Sequence, residues 1–229
     1  MKRPTRRDRE AARTREDILD AAARAFARTG YAGTTMESLA KEAGYTVPTL
    51  YRYFDSKVEI VRSLVTRTVQ ELLSTFDEPA AAGLTFRQRL ELLLDRQFEF
   101  AERRREAFAV LLTLTPADEL LTGLAKVTGV PAKALNAEGL PIWAGLKFYE
   151  GRLAEWFRTV ASKSELGGHD PAELANVLAG IEEGLFRRRF DGDLAEPLTS
   201  RVAFVVSMFL YGVTGNTRLR QAPSAEKKQ

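Results

Sequence analysis

The segment from Thr34 to Lys57, TTMESLAKEAGYTVPTLYRYFDSK, constrains the fold of this chain more than any other. Its spacing predicts two short helices joined by a tight turn. Thr34 and Glu37 stand three apart, the spacing at which a hydroxyl and a carboxylate cap a helix start reciprocally. Leu39, Ala40 and Ala43 give that helix a small apolar face, and Gly44 follows where a left-handed residue ends a helix at least cost. Thr46 offers a second cap, and Pro48 falls in a first turn, where no intrahelical N–H bond is lost. Leu50 and Phe54, four apart, point together toward a core. Val47, Thr49, Tyr51, Arg52 and Tyr53 are left for the remaining surface. Helix, glycine turn and helix in this order is the helix-turn-helix layout, whose second helix enters the DNA major groove.

Charge supports the same reading. The net charge is only +3, but the first 15 residues hold seven basic side chains against Asp8 and Glu10. We read residues 1–13 as a disordered basic arm able to reach DNA phosphates or the minor groove. The chain has no cysteine and one histidine, His169, so disulfides, cysteine metal sites and histidine-based catalysis are not expected. No Gly-rich phosphate loop and no nucleophile elbow is present, and we expect neither an enzyme nor a metal or other cofactor. No apolar run approaches the ~20 residues that span a bilayer, and Lys2 onward is charged rather than leader-like. A cytoplasmic protein without membrane contact is the expectation.

Almost every remaining stretch has helical periodicity, which predicts an all-α protein. Expected helices cover about 14–29, 57–76, 86–104, 107–114, 141–164, 171–190 and 197–215. The boundary Gly167-Gly168-His169-Asp170-Pro171 supplies a cap at Asp170 and a first-turn proline. The stretch 115–139 shows no clear pattern, and 219–229 is read as a disordered tail. A helix-turn-helix domain at 14–62 followed by a larger helical bundle at 63–218 is the expected organisation. The last helix is apolar nearly all round, from Val202 to Tyr211, and is expected to pack on its own core and on a partner subunit.

Several motifs occur together at the spacing of one family. They are Ile18-Leu19-Asp20-Ala21-Ala22, Gly30-Tyr31, Thr34-Thr35, Leu39-Ala40, Ala43-Gly44, Thr49-Leu50-Tyr51-Arg52-Tyr53-Phe54 and Ser56-Lys57. Residues 14–62 resemble the N-terminal domain of the TetR family of bacterial transcriptional regulators. One departure is Val47, where many members carry a small or polar residue.

The resemblance implies DNA contacts from Thr35, Thr46, Val47, Pro48, Thr49, Tyr51, Arg52, Tyr53 and Lys57. Arg52 is the candidate for guanine readout, and Lys57 matches the family's phosphate-binding lysine. It also implies a homodimer through helices 171–190 and 197–215, a palindromic double-stranded operator, and an effector cavity among the middle helices. Gln97, Phe100, Phe108, Trp143 and Tyr149 are the candidate ligand residues, and their aromatic surface points to a small apolar or aromatic effector. A repressor released by that effector is the expected function. The alternatives are a ligand-independent DNA-binding dimer on the same scaffold and an enzyme with a DNA-targeting domain.

Overall fold

The computed structural model describes residues 5–76, 83–113 and 141–219. Every regular element among them is helical. In chain order these are α1 (Arg6–Thr29), α2 (Met36–Ala43), α3 (Val47–Tyr53), α4 (Lys57–Ser74), α5 (Phe86–Arg103), α6 (Arg105–Thr113), α7 (Pro141–Val160), α8 (Pro171–Phe190) and α9 (Val202–Leu219). A 3-10 turn, Leu198–Arg201, precedes α9. The all-α architecture is as expected. No helix among the described residues is long and apolar enough to cross a membrane. The expectations for residues 1–4, 115–139 and 220–229 fall outside the described residues.

Helix α1 starts at Arg6 rather than at Thr14, so the basic segment is largely helical instead of a disordered arm. The cause is a capping box that lies ahead of the apolar pattern: Asp8 N donates to Thr5 Oγ1 at 3.2 Å, and Thr5 N donates to Asp8 Oδ2 at 2.9 Å. An Arg6–Glu10 pair at 2.9 Å spans the next turn.

The cap of α2 is also shifted by one residue. Thr35, not Thr34, accepts from Ser38 N at 3.2 Å, and Ser38 Oγ accepts from Thr35 N at 2.9 Å. Thr34 is buried, and its hydroxyl donates to Gly30 O at 2.7 Å. Burial of Met36, Leu39 and Ala40 sets the rotation of α2, and that rotation turns Thr34 inward. Gly44 ends α2 at φ 74°, in the left-handed region.

The chain divides into two compact units that interleave in sequence: Met1–Leu72 with Arg104–Phe148, and Leu73–Arg103 with Tyr149–Gln229. In the first unit, Ile18, Phe26, Leu39, Leu50, Phe54, Ile60 and Leu64 form a core together with Ala107 and Val110 of α6. A domain ending at residue 62 is therefore incomplete, because α6 closes its core. An ionic cluster follows the same path: Arg104 donates to Glu71 through Nε (2.9 Å) and Nη2 (3.0 Å) and to Asp20 at 3.2 Å, while Arg67 donates to Asp20 at 2.7 Å.

In the second unit, the Phe157 ring stacks on Phe209 at 5.8 Å and meets Phe86 edge-on at 5.9 Å, and Phe98 meets Phe186 edge-on at 5.7 Å. Helix α7 ends at Val160, short of Ser164, because Ser162 N and Oγ both donate to Glu165 (2.8 and 2.7 Å) and fold the chain into a turn. Asp170 caps α8 as expected, accepting from Ala172 N at 3.0 Å. Helix α9 has two distinct apolar faces. Val205, Val206 and Phe209 are buried, whereas Phe204, Met208 and Tyr211 are 58%, 57% and 78% exposed.

A side chain at residue 44 would meet open space but would keep the left-handed backbone. Gly44→Ala should therefore destabilise the chain by about 1–2 kcal/mol. Urea denaturation should show a lower midpoint with an unchanged slope.

Candidate nucleic-acid interface and interior polar site

Helix α3 has seven residues and is held at both ends. At its start, Thr49 N donates to Thr46 Oγ1 at 3.4 Å, and the two hydroxyls lie 2.9 Å apart. Along its inner face, Leu50 and the following Phe54 are fully buried. At its end, Arg15 Nη1 donates to Tyr53 O at 2.8 Å, its Nη2 donates to Ser63 Oγ at 3.0 Å, and its guanidinium lies 4.1 Å over the Phe54 ring. Arg15 was grouped with the basic N-terminal run by sequence. Its position instead makes it a clamp on the end of α3.

The candidate DNA residues sort by what else they touch. Thr35 and Thr46 are exposed caps of α2 and α3. Pro48 and Arg52 are exposed, and Tyr51 is 49% exposed. Thr49 is half-buried, while Val47 and Tyr53 are half-buried and pack against the core. The Arg52 guanidinium lies 5.0 Å from the Tyr53 ring centre and donates to Tyr53 Oη at 3.2 Å. Lys57 Nζ donates to Tyr31 O at 2.8 Å and to Thr34 O at 2.7 Å, and it sits 4.2 Å from the Tyr31 ring centre. Two of its three donors thus hold the α1–α2 loop, with the third left to reach outward. The candidate interface is a short helix whose exposed rim is hydroxyl, aromatic and cationic, the chemistry that suits phosphates and base edges.

The family model for bacterial regulatory proteins of the tetR family matches residues 18–64, the stretch that carries this interface. The likeness in sequence is to the N-terminal domain of this family. Among curated proteins the chain is similar to the HTH-type transcriptional repressor KstR2 of Rhodococcus jostii, with 30% identity over 132 residues. That match covers 58% of this chain and 62% of the relative, so the chain spans less than two thirds of that repressor's length. The fold is shared with the fatty acid degradation regulator FadR of Bacillus halodurans: TM-score 0.66, 19% identity, 87% of this chain and 96% of that one. It is shared as well with FadR of Bacillus subtilis solved with stearoyl-CoA: TM-score 0.62, 20% identity, 86% of this chain and 98% of that one. The named relatives are transcriptional regulators rather than enzymes.

The second unit also carries a buried polar chain. Tyr149 Oη lies 2.8 Å from Gln97 Oε1 and 2.6 Å from Glu182 Oε2, and Gln97 Nε2 donates to Thr75 Oγ1 at 3.4 Å. Gln97 and Tyr149, which interrupt apolar stripes in the sequence, are therefore brought together. Phe100 is buried on the same helix as Gln97. Phe108 is buried on α6 and belongs to the first unit. The Trp143 side chain lies outside the described residues.

Glu182 was missed by sequence reading because it follows Ile181 inside an otherwise amphipathic helix and looks like a solvent-facing acid. It is fully buried. Burial pushes its carboxyl up to about 8, partly offset by the Tyr149 hydroxyl, and burial also holds the Tyr149 phenol well above its ordinary range. A carboxyl that ionises at higher pH in the fold than in the unfolded chain costs stability as pH rises from the ordinary glutamate range to about 8. The wild type should accordingly lose up to about 1.4 kcal/mol per pH unit over that window relative to Glu182→Gln. Chemical denaturation of both proteins at a series of pH values measures the divergence, which should vanish at acid pH.

Proposed function

We propose that this chain is a cytoplasmic homodimeric repressor that binds a palindromic operator through α3 and leaves it when an apolar or aromatic effector enters the second unit. The observation that carries the reading is the seven-residue α3, anchored by Leu50 and Phe54, with Thr46, Tyr51 and Arg52 turned outward. Arg52 reads a guanine, while Thr35, Thr46, Val47, Pro48, Thr49, Tyr51, Tyr53 and Lys57 position the helix on backbone or thymine methyls. Effector binding favours a conformation with the two recognition helices wrongly spaced, so DNA affinity falls by the effector's preference for that state. Support for ligand response comes from the buried polar chain Gln97–Tyr149–Glu182 and from the fold shared with a FadR solved with stearoyl-CoA.

The operator experiment separates two roles. Arg52→Ala should cost about 1–3 kcal/mol at one base pair and relax specificity there. Lys57→Ala should weaken binding to all sequences, because it loses both a phosphate partner and the clamp on Tyr31 O and Thr34 O. Binding across an operator library reads both, and identical profiles for the two variants would refute the division.

The dimer is carried by the outward face of α9, Phe204, Met208 and Tyr211, and by the exposed Val177 of α8. Met208→Glu should yield a folded monomer in sedimentation. Val206 faces the protomer's own core, so Val206→Asp should unfold the chain at a cost of several kcal/mol rather than merely separate subunits.

A further inference from the structure

We propose that Glu182 is the group that reads the ligand in the second unit, and that the ligand is a neutral, largely apolar molecule presenting one hydroxyl or N–H donor. This rests on the ligand-responsive reading and names the chemistry of its site.

The hydrogen-bonded run at Tyr149 is short of one proton. Tyr149 has one hydroxyl hydrogen but two acceptor neighbours, Gln97 Oε1 at 2.8 Å and Glu182 Oε2 at 2.6 Å. Both contacts are hydrogen bonds only if one partner supplies a second proton. The carbonyl of Gln97 cannot, since the Gln97 amide nitrogen is directed to Thr75. The second proton is therefore on Glu182 Oε2, in line with the preference of a fully buried carboxyl for its neutral form. The bonds then run one way, from Glu182 to Tyr149 to Gln97 to Thr75.

This direction leaves Glu182 Oε1 as a carbonyl oxygen, buried and without a hydrogen-bond partner among the described residues. A buried acceptor left unpaired is costly, and a leucine at this position would carry no such cost. The four polar groups come from separate segments of the chain and converge on one point, with Leu178 and Phe186 of α8 buried one turn to either side of Glu182. An acceptor set in apolar walls selects a donor on an apolar body. An anionic head, a carboxylate or phosphate dianion, has no proton to give the unpaired acceptor Glu182 Oε1. A cationic head would have to draw the proton off a carboxyl that burial keeps neutral.

Calorimetric titration of the full chain at pH 7 with four naphthalene probes tests the assignment: 1-naphthol, its methyl ether, 1-naphthoate and 1-naphthylmethylammonium. Wild type should bind naphthol about ten-fold more tightly than the ether, which has the same apolar body and no donor, and more tightly than either charged probe. Glu182→Gln keeps a carbonyl acceptor and should keep the preference. Glu182→Leu should lose it while still binding the ether, and Glu182→Met serves if the leucine variant does not fold.

Equal binding of naphthol and ether, a preference that survives Glu182→Leu, tighter binding of the ammonium probe, or no binding of any probe would each overturn the proposal. The ligand-response reading fails separately, if a probe that binds with the expected preference leaves operator affinity unmoved.

Discussion

A seven-residue helix does not hold its own shape in water, since so short a segment gains too few hydrogen bonds to offset nucleation. Everything this chain could do to DNA depends on how α3 is held from outside. Leu50 and Phe54 fix its rotation, Thr46 fixes its start, and Arg15 takes the carbonyl of Tyr53 at its end. Lys57 secures the loop before α2 in the same manner, through Tyr31 O and Thr34 O. Charged side chains thus serve as backbone ligands on one side of the helix. Its opposite rim is left free to present Tyr51 and Arg52.

The second unit has the inverse character. Its interior is aromatic, with stacked and edge-on contacts among Phe86, Phe98, Phe157, Phe186 and Phe209, yet it encloses a carboxyl, a phenol and an amide in one hydrogen-bonded run. Such a run is tolerated only because the carboxyl gives up its charge and each donor finds an acceptor. It fixes the relative rotation of α5, α7 and α8 more sharply than apolar packing would.

Local signals were legible where the interaction is local. The caps at Thr46 and Asp170, the turn at Gly44 and the inward pair Leu50 and Phe54 follow from spacings of two to four residues. Gln97 and Tyr149 were legible as polar breaks in apolar stripes. What failed to show in the sequence depends on distant partners. Thr34 resembles a cap, and only the burial of Met36 reveals that Thr35 takes the role. The clamps that Arg15 and Lys57 make on the carbonyls of Tyr53, Tyr31 and Thr34 have no local signature. Glu182 has the spacing of a surface acid, and its burial is decided by helices far away in the chain.

The core of the first unit draws Ala107 and Val110 from a segment that the chain reaches only after building α5 in the other unit. On a ribosome, then, α1 to α4 emerge well before the residues that seal them. Until α6 arrives, part of their apolar surface stays wet, and loop closure across α5 must be completed before that surface is covered. Maturation of the first unit is for this reason tied to synthesis of the middle of the chain, and a nascent fragment ending at α4 would leave the ribosome with an unsealed core.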